Sequence, residues 1–159
     1  MMQADDGAGK TPLRDIFQYA AWGPAAGGPA QQLVVLMHGI GLNGIIMEKM
    51  AREIAAVLPH ARIVAPHGPE AYAPPSYQDG DLLKAPEILG ADDMAHARQW
   101  FQISGGPDVI REKLRKVAQT MNDFIDNQRD MIGLTDKDIA VMGFSQGGGV
   151  ALYTAFLRA

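Results

Sequence analysis

The chain has 159 residues, of which 47% are hydrophobic and 20% charged, with a formal net charge of −4. That is an ordinary globular composition, and its mild acidity offers no basic field for nucleic acid or an anionic membrane surface. There is no cysteine, which excludes disulfides, thiolate metal sites and a cysteine nucleophile.

The length suits one domain over 1–159, with residues 1–14 expected as a disordered tail. The polar, acidic start has no apolar core of a signal peptide, and no run reaches the ~18 apolar residues of a membrane span. The expected compartment is therefore the cytoplasm. Asp15 to Ala20 alternates like a short strand, and the Gly- and Pro-rich stretch 23–30 breaks it. Gln32 to Met37 is a continuous apolar run, the pattern of a strand buried on both faces. Asn43 can cap a helix that Pro59 stops, with Met47, Met50, Ala51, Ile54, Ala55 and Leu58 as its apolar stripe. Ala61 to Ala65 predicts a second buried strand, closed by Pro66-His67-Gly68-Pro69. Residues 66–106 read as a long irregular segment with a short helix around Ala91 to Arg98. A long amphipathic helix is predicted over 107–130. Pro107 and Asp108 suit its first turn, Ile110, Leu114, Val117, Met121 and Phe124 form its stripe, and Gly133 lies past its end. Ile139 to Met142 is a third buried strand, and Gln146 to Leu157 a helix apolar nearly all round. The alternation of strand and helix implies right-handed crossovers and an α/β fold, a mostly parallel sheet with helices on both faces.

Two motifs carry chemistry. Gly143-Phe144-Ser145-Gln146-Gly147 is a G-x-S-x-G pentapeptide, which chance alone would place in about one chain of this length in twenty. Its setting raises its meaning, because a nucleophile elbow needs a strand delivering the serine and a helix leaving it. Glycines at 143 and 147 let the turn close without collisions, and the helix N-terminus aims its dipole at a developing oxyanion. The second motif, His38-Gly39-Ile40-Gly41-Leu42-Asn43-Gly44, matches the dinucleotide fingerprint at Gly39, Gly41 and Gly44. That reading would make the chain a dinucleotide-dependent oxidoreductase. It lacks the acid expected at the end of the next strand, the nearest being Glu70. A hydrolase uses the same loop differently. One oxyanion N–H comes from the residue after the nucleophile, Gln146, and one from an earlier strand's loop, Ile40.

The blocks L-V-V-L-M-H-G-I-G-L-N-G, I-V-A-P-H-G-P-E-A, R-Q-W-F and I-A-V-M-G-F-S-Q-G-G-G-V-A-L follow one another from residue 33 to 152. Together they resemble the phospholipase/carboxylesterase family of α/β-hydrolases, which includes acyl-protein thioesterases. Leu42 stands where relatives often carry a polar residue. The resemblance implies a serine hydrolase of carboxylic esters or acyl thioesters, with Ser145 as nucleophile and Ile40 and Gln146 as the oxyanion hole. It places Trp100 and Phe101, with His38, on the substrate-pocket side. It implies a small-molecule or lipid-like acyl ester as partner, and no cofactor or metal.

The family orders its triad as serine, aspartate, histidine, and neither partner stands between Ser145 and Ala159. The chain is thus expected to be a domain incomplete at its C-terminal side, and an alternative is an impaired or inert remnant binding acyl ligands or a partner. Of the histidines, His38 is expected to brace the oxyanion loop, with His38 and His67 the substitutes for the base. His60 reads as a surface residue, and His96 with Asp92 and Asp93 as a solvated helix face rather than a metal site. The strand Ile139 to Met142 would lie at an open, apolar sheet edge, a surface for self-association.

Overall fold

The computed structural model describes residues 17–72 and 96–159. The expected tail over 1–14, the start of the strand predicted from Asp15, and most of the helix predicted around Ala91 lie outside them.

Four strands form the main sheet: β1 (Tyr19–Trp22), β2 (Gln32–Met37), β3 (Ala61–Pro66) and β6 (Ile139–Gly143), in the order β1-β3-β2-β6. Three are parallel, as predicted, because β2 pairs with β3 on one side and with β6 on the other. β1 runs antiparallel to β3, with Tyr19 opposite Pro66 and Trp22 opposite Ile63. β1 begins later than the alternation suggested and runs on to Trp22, where the Gly- and Pro-rich stretch takes over. β2 is flanked on both sides and buried from Leu33 to Met37, which is why its sequence shows no polar alternation.

Alternate residues of these strands feed two apolar layers. Leu33, Val35, Met37 and Val64 face the long helix α2 (Pro107–Ile132) and the last helix α3 (Gln146–Arg158), meeting Met121, Phe124, Ile125, Val150 and Ala151. Phe17, Tyr19 and Trp100 close this layer, and edge-to-face contacts link Phe17 to Trp100 (5.9 Å), Phe17 to Phe124 (5.8 Å) and Tyr19 to Phe124 (5.3 Å). Val34, Leu36, Ala61, Ile63 and Ala65 face helix α1 (Glu48–Val57) with the 3-10 turn Ile45–Met47 ahead of it. Only Met47 and Ala51 of the predicted α1 stripe are buried, while Met50 and Leu58 are exposed.

The helix predicted over 107–130 continues to Ile132 and stops where Gly133 turns left-handed (φ 71°), its N–H reaching the carbonyls of Arg129 and Asp130. Arg129 and Arg158 both pair with Asp126 and Asp136, joining the ends of α2 and α3 to the 3-10 turn Asp136–Asp138. The helix expected around Ala91 to Arg98 is not continued at its described end. Arg98 and Gln99 form a short strand, β5, antiparallel to β4 (Glu70–Ala71). Local propensity yields there to free backbone groups on Leu42, Glu70 and Ala71. No helix among the described residues is long and apolar enough to cross a membrane.

Phe124 joins both aromatic contacts to the sheet layer and is fully buried. Phe124→Ala is expected to lower the unfolding free energy by about 3–5 kcal/mol in urea titrations. Phe156→Ala, on the exposed face of α3, should stay within about 0.5 kcal/mol of the parent.

Candidate active site

The parallel pairing sets Met37 opposite Gly143, so the chain leaves β2 and β6 side by side at the carboxyl edge of the sheet, where α/β folds place their sites. The Phe144 N–H still donates to the Met37 carbonyl (3.1 Å). The next residue, Ser145, has φ 53° and ψ −122° and is the one non-glycine with positive φ among the described residues. Such a backbone costs about 1–3 kcal/mol and persists only where the surroundings enforce it. The enforcement comes from close backbone packing. A β-carbon at Gly143 would overlap the Gly147 carbonyl, and one at Gly147 would overlap the carbonyls of Met37 and His38.

The loop after β2 lies directly beside this turn. A β-carbon at Gly39 would stand 3.1 Å from Phe144 Cδ1 and 3.4 Å from Ser145 Cβ. Most loop donors are already used. The Gly41 N–H donates to the Arg98 carbonyl (2.8 Å), the Leu42 N–H to the Gly39 carbonyl (3.2 Å), and the Gly44 N–H to His67 Nδ1 (3.0 Å). Asn43 Oδ1 takes the N–H groups of Ile45 and Ile46 (3.0 and 3.3 Å). Among the described residues no acceptor takes the N–H of Ile40 or of Gln146. Of the three glycines of the dinucleotide fingerprint, Gly41 and Gly44 have their N–H groups engaged within the protein and do not offer them to a pyrophosphate.

His38 and His67 stitch the two loops together reciprocally. His38, in the β2 loop, accepts the Gly68 N–H at Nε2 (2.8 Å), so its Nδ1 carries the proton and donates to the Gly39 carbonyl (2.7 Å). His67, in the β3 loop, accepts the Gly44 N–H at Nδ1. Burial, with smaller repulsion from His67 and Arg98, pushes the His38 pKa down to about 4, against the contrary pull of its bond to Gly39. Burial, then the Arg98 and His96 charges, lower that of His67. The bracing expected of His38 is present in this geometry. Both of its nitrogens are committed, which corrects its reading as a substitute base.

Trp100 and Phe101 are buried, and Trp100 is a core residue. Its indole N–H donates to the His38 carbonyl (2.8 Å), and its ring stacks on that of His38 at 4.9 Å. His38 and Trp100 thus stand behind the loop as its support, with no exposed face to line a pocket. His60 is exposed in the turn before β3, at the end of the sheet away from Ser145, and His96 is exposed beside the loop, its carbonyl 3.4 Å from Asn43 Nδ2. Asp92 and Asp93 fall outside the described residues, among which no group of three metal-ligating side chains occurs. Sequence reasoning missed Arg98, which donates to the carbonyls of Gly68 (2.8 Å) and Pro69 (2.6 Å). It also missed the side chain of Gln146, which accepts the Trp100 N–H (2.9 Å) and donates to the Phe101 carbonyl (2.8 Å).

Residues 24–158 match the family described as Phospholipase/Carboxylesterase. Esterase YpfH of Escherichia coli (strain K12) is 29% identical over 127 residues, which are 78% of this chain and 45% of that protein. The crystal structure of esterase PE8 is similar with a TM-score of 0.65 at 23% identity, covering 87% of this chain and 56% of its own. A carboxylesterase from Mesorhizobium loti gives 0.60 at 19% identity, covering 90% and 56%. These two structures share the fold, an α/β-hydrolase type of sheet. The chain spans about half the length of the relatives it matches.

Neutral imidazoles are part of this architecture, which fixes the sign of its pH response. A histidine whose folded pKa lies below its unfolded value contributes stability that is full above the unfolded value and lost as pH falls through the folded one. For His38 that window runs from 6.5 down to about 4. Unfolding free energies from urea titrations are expected to fall across it, by up to about 1.4 kcal/mol per pH unit from this residue. In His38→Asn the slope should be shallower. Equal slopes in parent and variant would show that the His38 contacts do not govern acid stability.

Proposed function

The chain belongs to the phospholipase/carboxylesterase family, and on that premise we propose that Ser145 is the nucleophile of a serine hydrolase of carboxylic esters. The observation that carries this reading is the pairing of a strained, exposed serine with two unengaged N–H groups, those of Ile40 and Gln146, on the two loops that meet beside it. In the reaction Ser145 Oγ attacks the acyl carbonyl, the hydroxyl proton passes to a base, and the carbonyl electrons move onto oxygen. The oxyanion is met by the Ile40 and Gln146 amides, and by the N-terminal dipole of α3. Collapse expels the alcohol or thiol and leaves an acyl-serine, which water hydrolyses to the acid and free serine.

Thioesters are included as substrates because the same addition to a carbonyl serves both leaving groups. The base is a group other than His38 or His67, whose acceptor nitrogens already hold backbone N–H groups. In the family order it is a histidine, oriented by an aspartate, beyond the serine.

A fluorophosphonate probe and p-nitrophenyl acetate test this assignment. The probe is expected to label the chain at Ser145 and to leave Ser145→Ala unmodified, with p-nitrophenol release falling to the buffer rate in that variant. Labelling without turnover identifies a form that keeps the nucleophile and lacks effective activation. Absence of labelling in the parent removes Ser145 as nucleophile.

The outer edge of β6 supports a second element of the proposal, self-association. Among the described residues β6 pairs only with β2, and Met142 and Phe144 are 44% and 64% exposed. No charged side chain interrupts Ile139–Gly143, although charge is the usual protection of an edge strand. Sedimentation velocity is expected to show association that grows with concentration and weakens in Met142→Lys. A concentration-independent monomer in the parent overturns the edge-pairing proposal.

A further inference from the structure

We propose that residues 98–101 are a positioning brace that fixes the spacing between the two oxyanion donors, Ile40 and Gln146. The inference rests on the assignment of those donors under Proposed function. One end of the brace is bonded to the loop that carries Ile40. The Gly41 N–H donates to the Arg98 carbonyl (2.8 Å) and the Arg98 N–H to the Leu42 carbonyl (2.9 Å), an antiparallel bridge immediately after Ile40. The other end is bonded to Gln146 itself. Its side-chain carbonyl accepts the Trp100 N–H (2.9 Å), and its amide donates to the Phe101 carbonyl (2.8 Å).

The segment between these attachments is held on every side. Arg98 donates through its guanidinium to the carbonyls of Gly68 and Pro69. Trp100 is buried, with its indole bonded to the His38 carbonyl and stacked on the His38 ring. Gly68 lies so close that a β-carbon there would be 2.5 Å from the Gln99 carbonyl oxygen. The β2–β6 ladder sets the distance between the strands, but it ends at the Met37–Gly143 pair, three positions before Ile40. Beyond that point the segment 98–101 is the bonded connection from the Ile40 loop to Gln146.

The chemistry of residue 146 fits this task. A side chain that must accept from one backbone N–H and donate to the next residue's carbonyl needs both groups on one planar unit. Glutamine offers both on its terminal amide, and asparagine, which offers the same pair, is one methylene shorter. The residue whose backbone serves the oxyanion thus uses its side chain to fix its own position. The geometric demand is strict, because a donor works at about 2.7–3.1 Å from the oxyanion, and a shift near 1 Å can cost about 10²-fold in rate.

Amide hydrogen exchange on the 159-residue chain tests the connection without requiring turnover. In Gln146→Met, which keeps the backbone N–H and roughly the side-chain volume, the amides of Trp100 and Gly41 are expected to exchange at least about tenfold faster, while Val64 in β3 is unchanged. Acceleration confined to Trp100 would overturn the proposal, because the two donors would then be held independently. Arg98→Lys, with the backbone intact and the fork to Gly68 and Pro69 lost, gives the same pair of readouts should Gln146→Met fail to fold. On the reacting side, fluorophosphonate labelling of Ser145 should slow about tenfold in either variant. Where esters are turned over, kcat counted per Ser145 site titrated with the fluorophosphonate should fall with KM within about twofold, and counting by labelled sites removes the contribution of unfolded protein. A parent chain that is never labelled at Ser145 defeats the esterase reading alone, and the exchange result still decides whether the brace exists.

Discussion

The site depends on one close approach, that of Gly147 to the carbonyls of Met37 and His38. A β-carbon at that position would overlap both oxygens, so the first turn of α3 can rest on the end of β2 only as glycine. Gly143 is under the same restriction against the Gly147 carbonyl. Between these two contacts the chain must reverse from strand to helix within a residue or two, and the dihedral cost falls on Ser145. The ladder from Leu33–Ile139 to Met37–Gly143 and the burial of Val150 and Ala151 offset that cost. The strain at the serine is a consequence of packing the helix against the neighbouring strand.

The same edge is crowded with backbone polar groups, and an unmet one costs about 1–3 kcal/mol when buried. Neutral histidines, one indole and one guanidinium meet most of them. His38 and His67 exchange acceptors across the two loops, Trp100 caps the His38 carbonyl, and Arg98 caps those of Gly68 and Pro69. Protonating either imidazole would remove an acceptor from a backbone N–H, so burial keeps both uncharged at neutral pH. Against this background the unused N–H groups of Ile40 and Gln146 stand out. In the same loop the Gly41, Leu42 and Gly44 donors are satisfied within the protein.

Local patterns made the scaffold legible. The unbroken apolar run 32–37, the stripe from Ile110 to Phe124 and the glycines around Ser145 each report a contact made within a few residues. They mark β2, α2 and the sharp turn correctly. What stayed hidden depends on contacts between distant segments. Arg98 lies 30 residues from Gly68, and Gln146 lies 46 from Trp100. An arginine in a polar stretch and a glutamine beginning a helix carry no periodic signal of such partners. For the same reason Trp100 and Phe101 could be placed near the site by resemblance, while their burial behind the loop could not. Arg98 reads from sequence as the end of a helix because its extended pairing, of Arg98–Gln99 with Glu70–Ala71, is only two residues long.

In the proposed reaction this arrangement would separate holding the charge from starting the reaction. Apart from Arg98, the groups that brace these two loops are uncharged, being backbone, the rings of His38, His67 and Trp100 and the side-chain amide of Gln146. None of them activates Ser145. The two imidazoles nearest the loop are committed as acceptors, and His38 is kept neutral down to a pH of about 4, so neither can take the serine proton without releasing a loop contact. In the proposed reaction the base is therefore a group independent of this framework. That division has a physical advantage. A base has to change charge in every cycle, whereas preorganised donors are most effective when nothing around them reorganises. Keeping the titrating group out of the network that fixes the amides would let the proton move without disturbing the geometry of the proposed oxyanion donors.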